Sequence, residues 1–282
     1  MSPTEHDGVY AFDADGKNPA SGYLWRVSFI NPSSGITPVP FGDVDTPDIS
    51  PEIGITGTPV IDAATNILYV VAKTKEVAAG RTTFVQRLHA LDLTTGAEIA
   101  GGPVQIAASV PGTGRGSLNG VLSFDPRVEH QRGALMLFNG VVYIPWAAHC
   151  DRGNYHGWVI GYQASNVQQQ VAVYTNTPDG WGGGFWMSGG GVSADSTSNV
   201  YVVAGNGDFD ARLNFSSSAI RLSTQSGLVQ VDSFTPNNQD QLTRADNDMG
   251  VKRCPNPARS ARAFPTPVDY CRQNWLCLFD RP

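Results

Sequence analysis

The chain is poor in charge and has no long apolar run, and each shortage excludes a class of protein. Only 16% of its 282 residues are charged and its formal net charge is −6, so it lacks the basic face that binding to nucleic acid requires. No run of 18 apolar residues occurs, so no membrane span is predicted. The polar residues 1–9 lack the apolar core of a signal peptide. Two localisations stay open: the cytoplasm, or the periplasm or exterior if a signal peptide is missing from a truncated start.

Cysteine is also scarce, and its placement argues against two kinds of site. Cys150 stands alone, whereas Cys254, Cys271 and Cys277 crowd into the last 29 residues. A disulfide framework would be spread through the fold, and a four-cysteine zinc site would need paired CxxC spacing. Neither pattern is present, so no metal site is predicted.

Glycine and short apolar segments are what the chain has in quantity, and the segments recur. Its 31 glycines and 41% hydrophobic content are typical of short strands joined by tight turns. Three kinds of segment repeat in the same order: a short strand with an acidic end, an apolar strand with a tyrosine near its start, and a strand followed by a turn. The first kind covers 58–62 and 191–195, the second 68–72, 142–147 and 200–204, and the third 9–16, 88–96, 158–163 and 219–227.

This repeat predicts an all-β fold. Its period is roughly 60 to 75 residues, and the turn at 92–96, with an aspartate at its start and a glycine at its end, is typical of a hairpin. One antiparallel sheet cannot bury both of its faces, whereas sheets stacked around an axis can. We therefore expect residues 1–249 to form an incomplete β-propeller with three to four four-stranded antiparallel blades. Helical periodicity is nearly absent.

The repeat also resembles a known family. The segments 10–14 and 88–96, with the Leu24–Trp25 pair, resemble the pyrroloquinoline-quinone repeat of the quinoprotein alcohol dehydrogenase-like propellers, and the resemblance covers about residues 5–248. In that repeat the Trp and the Gly dock one blade on the next. The bacterial proteins that this chain resembles are longer, with blades on both sides, so the resemblance implies a fragment.

The C-terminal segment, residues 250–282, departs from the repeat. Five prolines, five arginines and three cysteines appear there, and strand alternation is lost. One interpretation is an irregular tail. The other is a shift of reading frame, because codons for 271–275 read one nucleotide later can spell a turn of the next blade. The gene sequence distinguishes the two.

Two glycine-rich loops carry the candidate ligand-binding residues. Residues 182–191 contain Trp186, and residues 205–210 contain Asn206 and Asp208. Glycine lets backbone approach a ligand closely, and the family resemblance places a similar Gly-Asn-Gly near the active face of quinoprotein dehydrogenases. Oxygen donors of Asn206 and Asp208 suit calcium. The alternatives are that Trp186 only packs between blades and that 205–210 is only a tight turn.

Four histidines and one glutamate are further candidate functional groups. His149 and His156 flank a polar loop that either lines the channel, binds a metal or is plain surface. Glu52 either faces the channel, where burial would raise its pKa, or accepts backbone hydrogen bonds in a loop. His6 and His89 lie in repeat strands and are expected to pack or to form hydrogen bonds there.

Two classes of function remain. The first is a binding or scaffold propeller whose top face engages a small molecule, a glycan or a protein. The second is an alcohol or sugar dehydrogenase, or a fragment of one, that uses pyrroloquinoline quinone with calcium. The resemblance implies a quinone held between a Trp and a disulfide of adjacent cysteines, with an Asp as general base. The sequence has no adjacent cysteines, and no such Asp is assigned, so binding without assigned catalysis is favoured.

Overall fold

A computed structural model describes residues 1–17, 20, 22–187 and 190–249 of the chain. Nearly all its regular structure is β. The strands are β1 (Ser2–Pro3), β2 (Gly8–Ala11), β3 (Trp25–Ser28), β4 (Ile36–Pro40), β5 (Glu52–Ile53), β6 (Val60–Asp62), β7 (Ile67–Ala78), β8 (Arg81–Asp92), β9 (Val104–Gln105), β10 (Ser109–Pro111), β11 (Val121–Ser123), β12 (Glu129–His130), β13 (Met136–Phe138), β14 (Val141–Ala148), β15 (Trp158–Gln163), β16 (Gln170–Thr175), β17 (Ser193–Ala194), β18 (Asn199–Val203), β19 (Ala219–Ser223) and β20 (Val229–Phe234). The helices are short: two 3-10 helices, Pro32–Ser34 and Phe41–Val44, and α1 (Gln239–Arg244).

Four antiparallel sheets follow one another along the chain. The first contains β1, β2 and β3, and the fourth contains β17 to β20 in chain order. The second pairs β6, β7, β8 and β9, and the third pairs β13, β14, β15 and β16. The far half of the long β7–β8 hairpin carries β4, which pairs with β5. Strands β10 and β11 form a separate hairpin.

The predicted strands are confirmed. The three tyrosine-bearing segments form β7, β14 and β18, the second strand of their four-stranded sheets. Each pairs with the strand formed by the third kind of segment, and the tyrosine occupies the same place in the register: Tyr69 opposite Ala90, Tyr143 opposite Gly161, and Tyr201 opposite Arg221. The repeat is therefore one structural unit, the blade.

The core lies between consecutive blades. One apolar cluster joins the first and second sheets, a second joins the second and third, and a third joins the third and fourth. Trp146 and Trp158 are fully buried in the second of these clusters. Trp146 Nε1 donates to Gln86 Oε1 at 2.8 Å. Each sheet buries its faces against its neighbours, so the fold is a partial β-propeller, as the sequence predicts.

The turn at 92–96 shows how one blade docks on the next. Asp92 Oδ1 accepts the N–H groups of Thr94 at 3.0 Å and Thr95 at 2.8 Å. Gly96 has φ +75°, and a Cβ there would lie 2.7 Å from Cε3 of Trp25 in the first sheet. The Trp25 indole donates to Leu93 O at 2.9 Å. The docking role expected for the Trp and the Gly of the repeat is confirmed here.

Three predictions meet the limits of the described residues. No helix in the described part of the chain is both long and apolar enough to cross a membrane. The tail 250–282, irregular or frame-shifted, lies outside the described residues. The boundary at 249 therefore stays a prediction.

Candidate functional site

Three equivalent strands place polar residues within or just beyond their carboxyl-terminal halves. Lys73 lies in β7, His149 directly follows β14, and Asn206 lies three residues beyond β18. Equivalent strands in consecutive blades run in the same direction, so their carboxyl ends share a face. Lys73 Nζ lies 2.9 Å from His149 Nε2, which confirms the meeting of the first two.

Trp186 lies beside the third strand end and is only 3% exposed. It packs with Ala147, Ala148 and Tyr155. A Cβ at Gly205 would lie 2.7 Å from both Cδ1 and Nε1 of the Trp186 indole, and 2.7 Å from Asp248 Oδ1. Position 205 therefore needs glycine, because the indole edge and a carboxylate both press against its Cα. Trp186 therefore packs in the interior, as one of the two alternatives predicted, and it also lies next to the 205–210 loop.

Asn206 brings two carboxylates to the same place. Its backbone N–H donates to Asp248 Oδ1 at 2.6 Å, and its Nδ2 donates to Asp246 Oδ1 at 3.1 Å. Asn206 Oδ1 is buried and has no hydrogen-bond partner among the described residues. Burial raises the pKa of Asp248 to about 6, the Asn206 N–H opposes this, and the charges of Asp151 and Asp246 add to it.

Asp208, the third residue of the predicted set, points elsewhere. It is exposed, its N–H donates to Trp181 O at 2.8 Å, and its Cβ lies beside Gly180. Asp246 and Asp248 are the carboxylates at Asn206, and sequence reasoning missed them. They follow α1 in a segment without strand alternation, and the acidic pair around Asn247 was their only signal.

A buried charge network surrounds Lys73. Lys73 Nζ contacts Arg127 O at 2.9 Å, Glu129 O at 3.2 Å and His149 Nε2 at 2.9 Å. Burial lowers the pKa of Lys73 to about 7, and nearby carboxylates oppose this. An ammonium has donors only, so in that state His149 Nε2 is the acceptor and Nδ1 carries the proton.

Asp48 continues this network towards Trp186. His149 Nδ1 lies 3.4 Å from Asp48 Oδ2, and Arg132 NH1 lies 3.6 Å from the same oxygen. The Arg132 guanidinium carbon is 5.6 Å from the Trp186 ring centroid. The His130 ring lies 4.1 Å from that of His149, and both of its nitrogens are buried without a hydrogen-bond partner in the described residues. Burial lowers the pKa of His149 to about 4.

The other candidate histidines, His156 and His89, make hydrogen bonds and packing contacts inside the fold. His156 is buried, with Nδ1 3.0 Å from Thr177 O and Nε2 2.9 Å from Arg115 O. His89 Nδ1 lies 2.5 Å from Glu98 Oε1, and its ring stacks on Phe29 at 3.6 Å. Its expected packing role in a strand is confirmed.

Glu52 is less buried than two carboxyls that sequence reasoning passed over. It pairs with His6 at 2.7 Å. The expected strand position of His6 is wrong, because His6 lies in an exposed turn before β2. Burial raises the pKa of Glu5, although the Gly54 N–H and Thr56 hydroxyl that donate to it act in the opposite direction. Asp7 is fully buried, which raises its pKa to about 9. Within the described ranges, no three His, Cys, Asp or Glu side chains are grouped to hold a metal.

Comparisons with known proteins leave the family open. No protein-family model matches the chain. No curated protein is significantly similar to it in sequence. Solved structures similar to it include a europium-containing methanol dehydrogenase, with 14% identity, 81% of this chain and 38% of that chain covered, and a TM-score of 0.45. Another is the quinohemoprotein alcohol dehydrogenase from Comamonas testosteroni, with 15% identity and a TM-score of 0.38; the match covers 64% of this chain and 35% of that chain. The chain thus spans little more than a third of these structures, and similarity at this level carries no information about its activity.

Proposed function

We propose that this chain is part of a propeller that binds a planar, oxygen-rich ligand together with a divalent cation, beside Trp186 and Asn206. The observation that carries the proposal is that an indole, an unpaired buried amide oxygen and two carboxylates converge at Gly205 and Asn206. These groups come from the 182–191 loop, the end of β18 and the segment after α1. A purely structural packing site has no need of an orphaned amide oxygen beside paired carboxylates.

The donor set fits calcium, the cation that the family resemblance implies. Calcium takes six to eight oxygen ligands, among them carboxylate and amide oxygens. Asn206 Oδ1 and the Asp246 carboxylate would supply oxygens from the protein, and the quinone and water would supply others. The Trp186 indole would carry the planar ring. When bound, pyrroloquinoline quinone supplies a two-electron acceptor that side chains lack.

A second candidate is oxidation of an alcohol or a sugar at the same site. Asp248 Oδ1 and the Trp186 indole edge press against the same Cα, that of Gly205. A carboxylate at the rim of the ring is placed to take the hydroxyl proton of a substrate lying over the bound ligand. The adjacent-cysteine pair of the resemblance is absent from the sequence, so no such disulfide would cover the ring face opposite Trp186. Binding is therefore the first proposal and turnover the second.

A titration of the full chain with pyrroloquinoline quinone tests the proposal. We expect saturable, calcium-dependent quenching of tryptophan fluorescence and a shift of the quinone absorbance. Trp186→Phe and Asp246→Asn should each weaken binding about tenfold or more. The matched controls are Trp25→Phe, in the first sheet, and Asp232→Asn, on β20, and both should bind as the parent does.

The outcomes separate the two candidates. Binding followed by dye-linked oxidation of an alcohol or a sugar that Asp248→Asn abolishes would support the oxidoreductase. Binding without turnover would support the binding propeller. A folded chain, with a normal β circular dichroism spectrum, that binds no quinone with or without calcium would refute both.

A further inference from the structure

We propose that residues 41–51 form a lid over the Trp186 site and that Asp48 is its latch. The inference rests on the proposed function, because a ligand site must open. Trp186 is 3% exposed and Asn206 is 5% exposed, so no ligand reaches either without a movement of the protein. The question is then which covering segment moves at the lowest cost.

The 41–51 segment crosses from its own blade to the next. It connects β4 to β5 in the second sheet, where Lys75 Nζ of β7 donates to Asp43 Oδ2 at 2.6 Å. It also contacts residues that lead into the third sheet. Arg127 Nε donates to Asp43 O at 2.8 Å, and Arg127 NH2 donates to Asp45 Oδ2 at 3.1 Å. Asp48 reaches further in, to His149 and Arg132. Arg132, whose NH1 lies 3.6 Å from Asp48 Oδ2, also has its guanidinium carbon 5.6 Å from the Trp186 ring centroid.

The apolar packing of the segment is separate from the blade core. Val44 and Ile49 belong to a small cluster with Val39, Ile53 and Phe84 at the far end of the second sheet. The clusters that join consecutive blades contain none of these residues. A segment with few ties to the main core opens locally, at a free energy well below that of global unfolding.

The receptor of the latch is rigid, whereas the latch itself is poorly satisfied. His149 directly follows β14 and is held by Lys73 at 2.9 Å. Both Asp48 carboxylate oxygens are buried, with His149 Nδ1 at 3.4 Å and Arg132 NH1 at 3.6 Å but no hydrogen bond from any described residue. Opening would hydrate this carboxylate together with Arg132 and His149. Asp48 therefore stabilises the closed state by less free energy than a fully hydrogen-bonded ion pair would. A latch that must open reversibly needs such a weak contribution.

Hydrogen exchange measured by mass spectrometry on the full chain, without ligand, tests the lid. In the parent protein, amides of 39–53 should exchange by local opening, faster than those of β14 and β15 and with little dependence on urea. Asp48→Asn removes the latch charge at constant size and should speed exchange at 39–53 about tenfold, leaving β14 and β15 unchanged. Asp45→Asn, in the same segment, removes an exposed partner and should change exchange less than twofold.

Solute quenching gives an independent measurement. Acrylamide should quench Asp48→Asn more than the parent, and the difference should vanish when Trp186→Phe is added. Exchange of 39–53 only through global unfolding would overturn the lid, as would equal acceleration everywhere in Asp48→Asn. Neither experiment uses quinone, so failure of the quinone titration leaves these results intact, and a bound quinone with a static 41–51 segment would refute the lid alone.

Discussion

Replacing Asp7 with Asn should stabilise the protein at neutral pH. Asp7 is fully buried, and its carboxylate oxygens find no hydrogen-bond partner meeting normal geometry within the described residues. Burial is the main cause that raises its pKa to about 9, the charges of Glu5 and Glu52 add to it, and the backbone of Lys73 acts against it. The native state therefore holds this carboxyl protonated where the unfolded chain would release the proton.

The magnitude follows from the difference in pKa. The unfolded carboxyl has a pKa of 3.8, so the native state binds more protons between pH 3.8 and about 9, and stability falls as pH rises through that window. At about 1.36 kcal/mol per pH unit, holding the proton at pH 7 costs roughly 4 kcal/mol. The asparagine amide does not titrate and avoids this cost. Its buried, poorly hydrogen-bonded N–H groups lower the free energy of unfolding by about 1–3 kcal/mol at every pH. Asp7 has φ +48°, a conformation that Asn tolerates well.

Urea unfolding at pH 4, 5.5, 7 and 8.5 measures the effect. The advantage of Asp7→Asn over the parent should grow with pH by about 4 kcal/mol between pH 4 and 7. Asp15→Asn, on an exposed turn, removes the same charge and should show no such growth. A stability difference that is constant across pH would refute the neutral buried carboxyl.

Two further substitutions probe the blade core and the site. Trp158→Ala should cost about 3–5 kcal/mol in urea unfolding, because the fully buried indole leaves a cavity between the second and third blades; a cost below about 1 kcal/mol would contradict the inter-blade core. Gly205→Ala places a methyl group 2.7 Å from Trp186 and Asp248 and should abolish quinone binding in the fluorescence titration. Gly8→Ala, in β2 of the first sheet, where the added methyl meets nothing closer than 3.4 Å, is its control, and equal binding by both variants would place the ligand elsewhere.

Local sequence was enough to predict the inner strands of the blades and one contact between blades. Strands β7, β14 and β18 each contain a continuous apolar run, because both faces of the sheet are covered there. The Asp92–Gly96 turn follows from side-chain hydrogen bonds within five residues. The outer strand β20 was not predicted. Most of its side chains face solvent, including its apolar ones, so burial gives its sequence no apolar pattern. Its position depends on pairing with β19.

The site depended on contacts between residues far apart in the chain. Trp186 and Asn206 were found from their glycine-rich neighbours, which local composition reveals. Asp248 lies 42 residues beyond Asn206, in a segment whose sequence shows no repeat, and only the return of the chain after α1 brings it back. Asp48 reaches His149 from a different blade. Such contacts depend on how the blades stack, because a side chain at the end of a strand contacts residues of the neighbouring sheet. The local sequence does not show which residues these are.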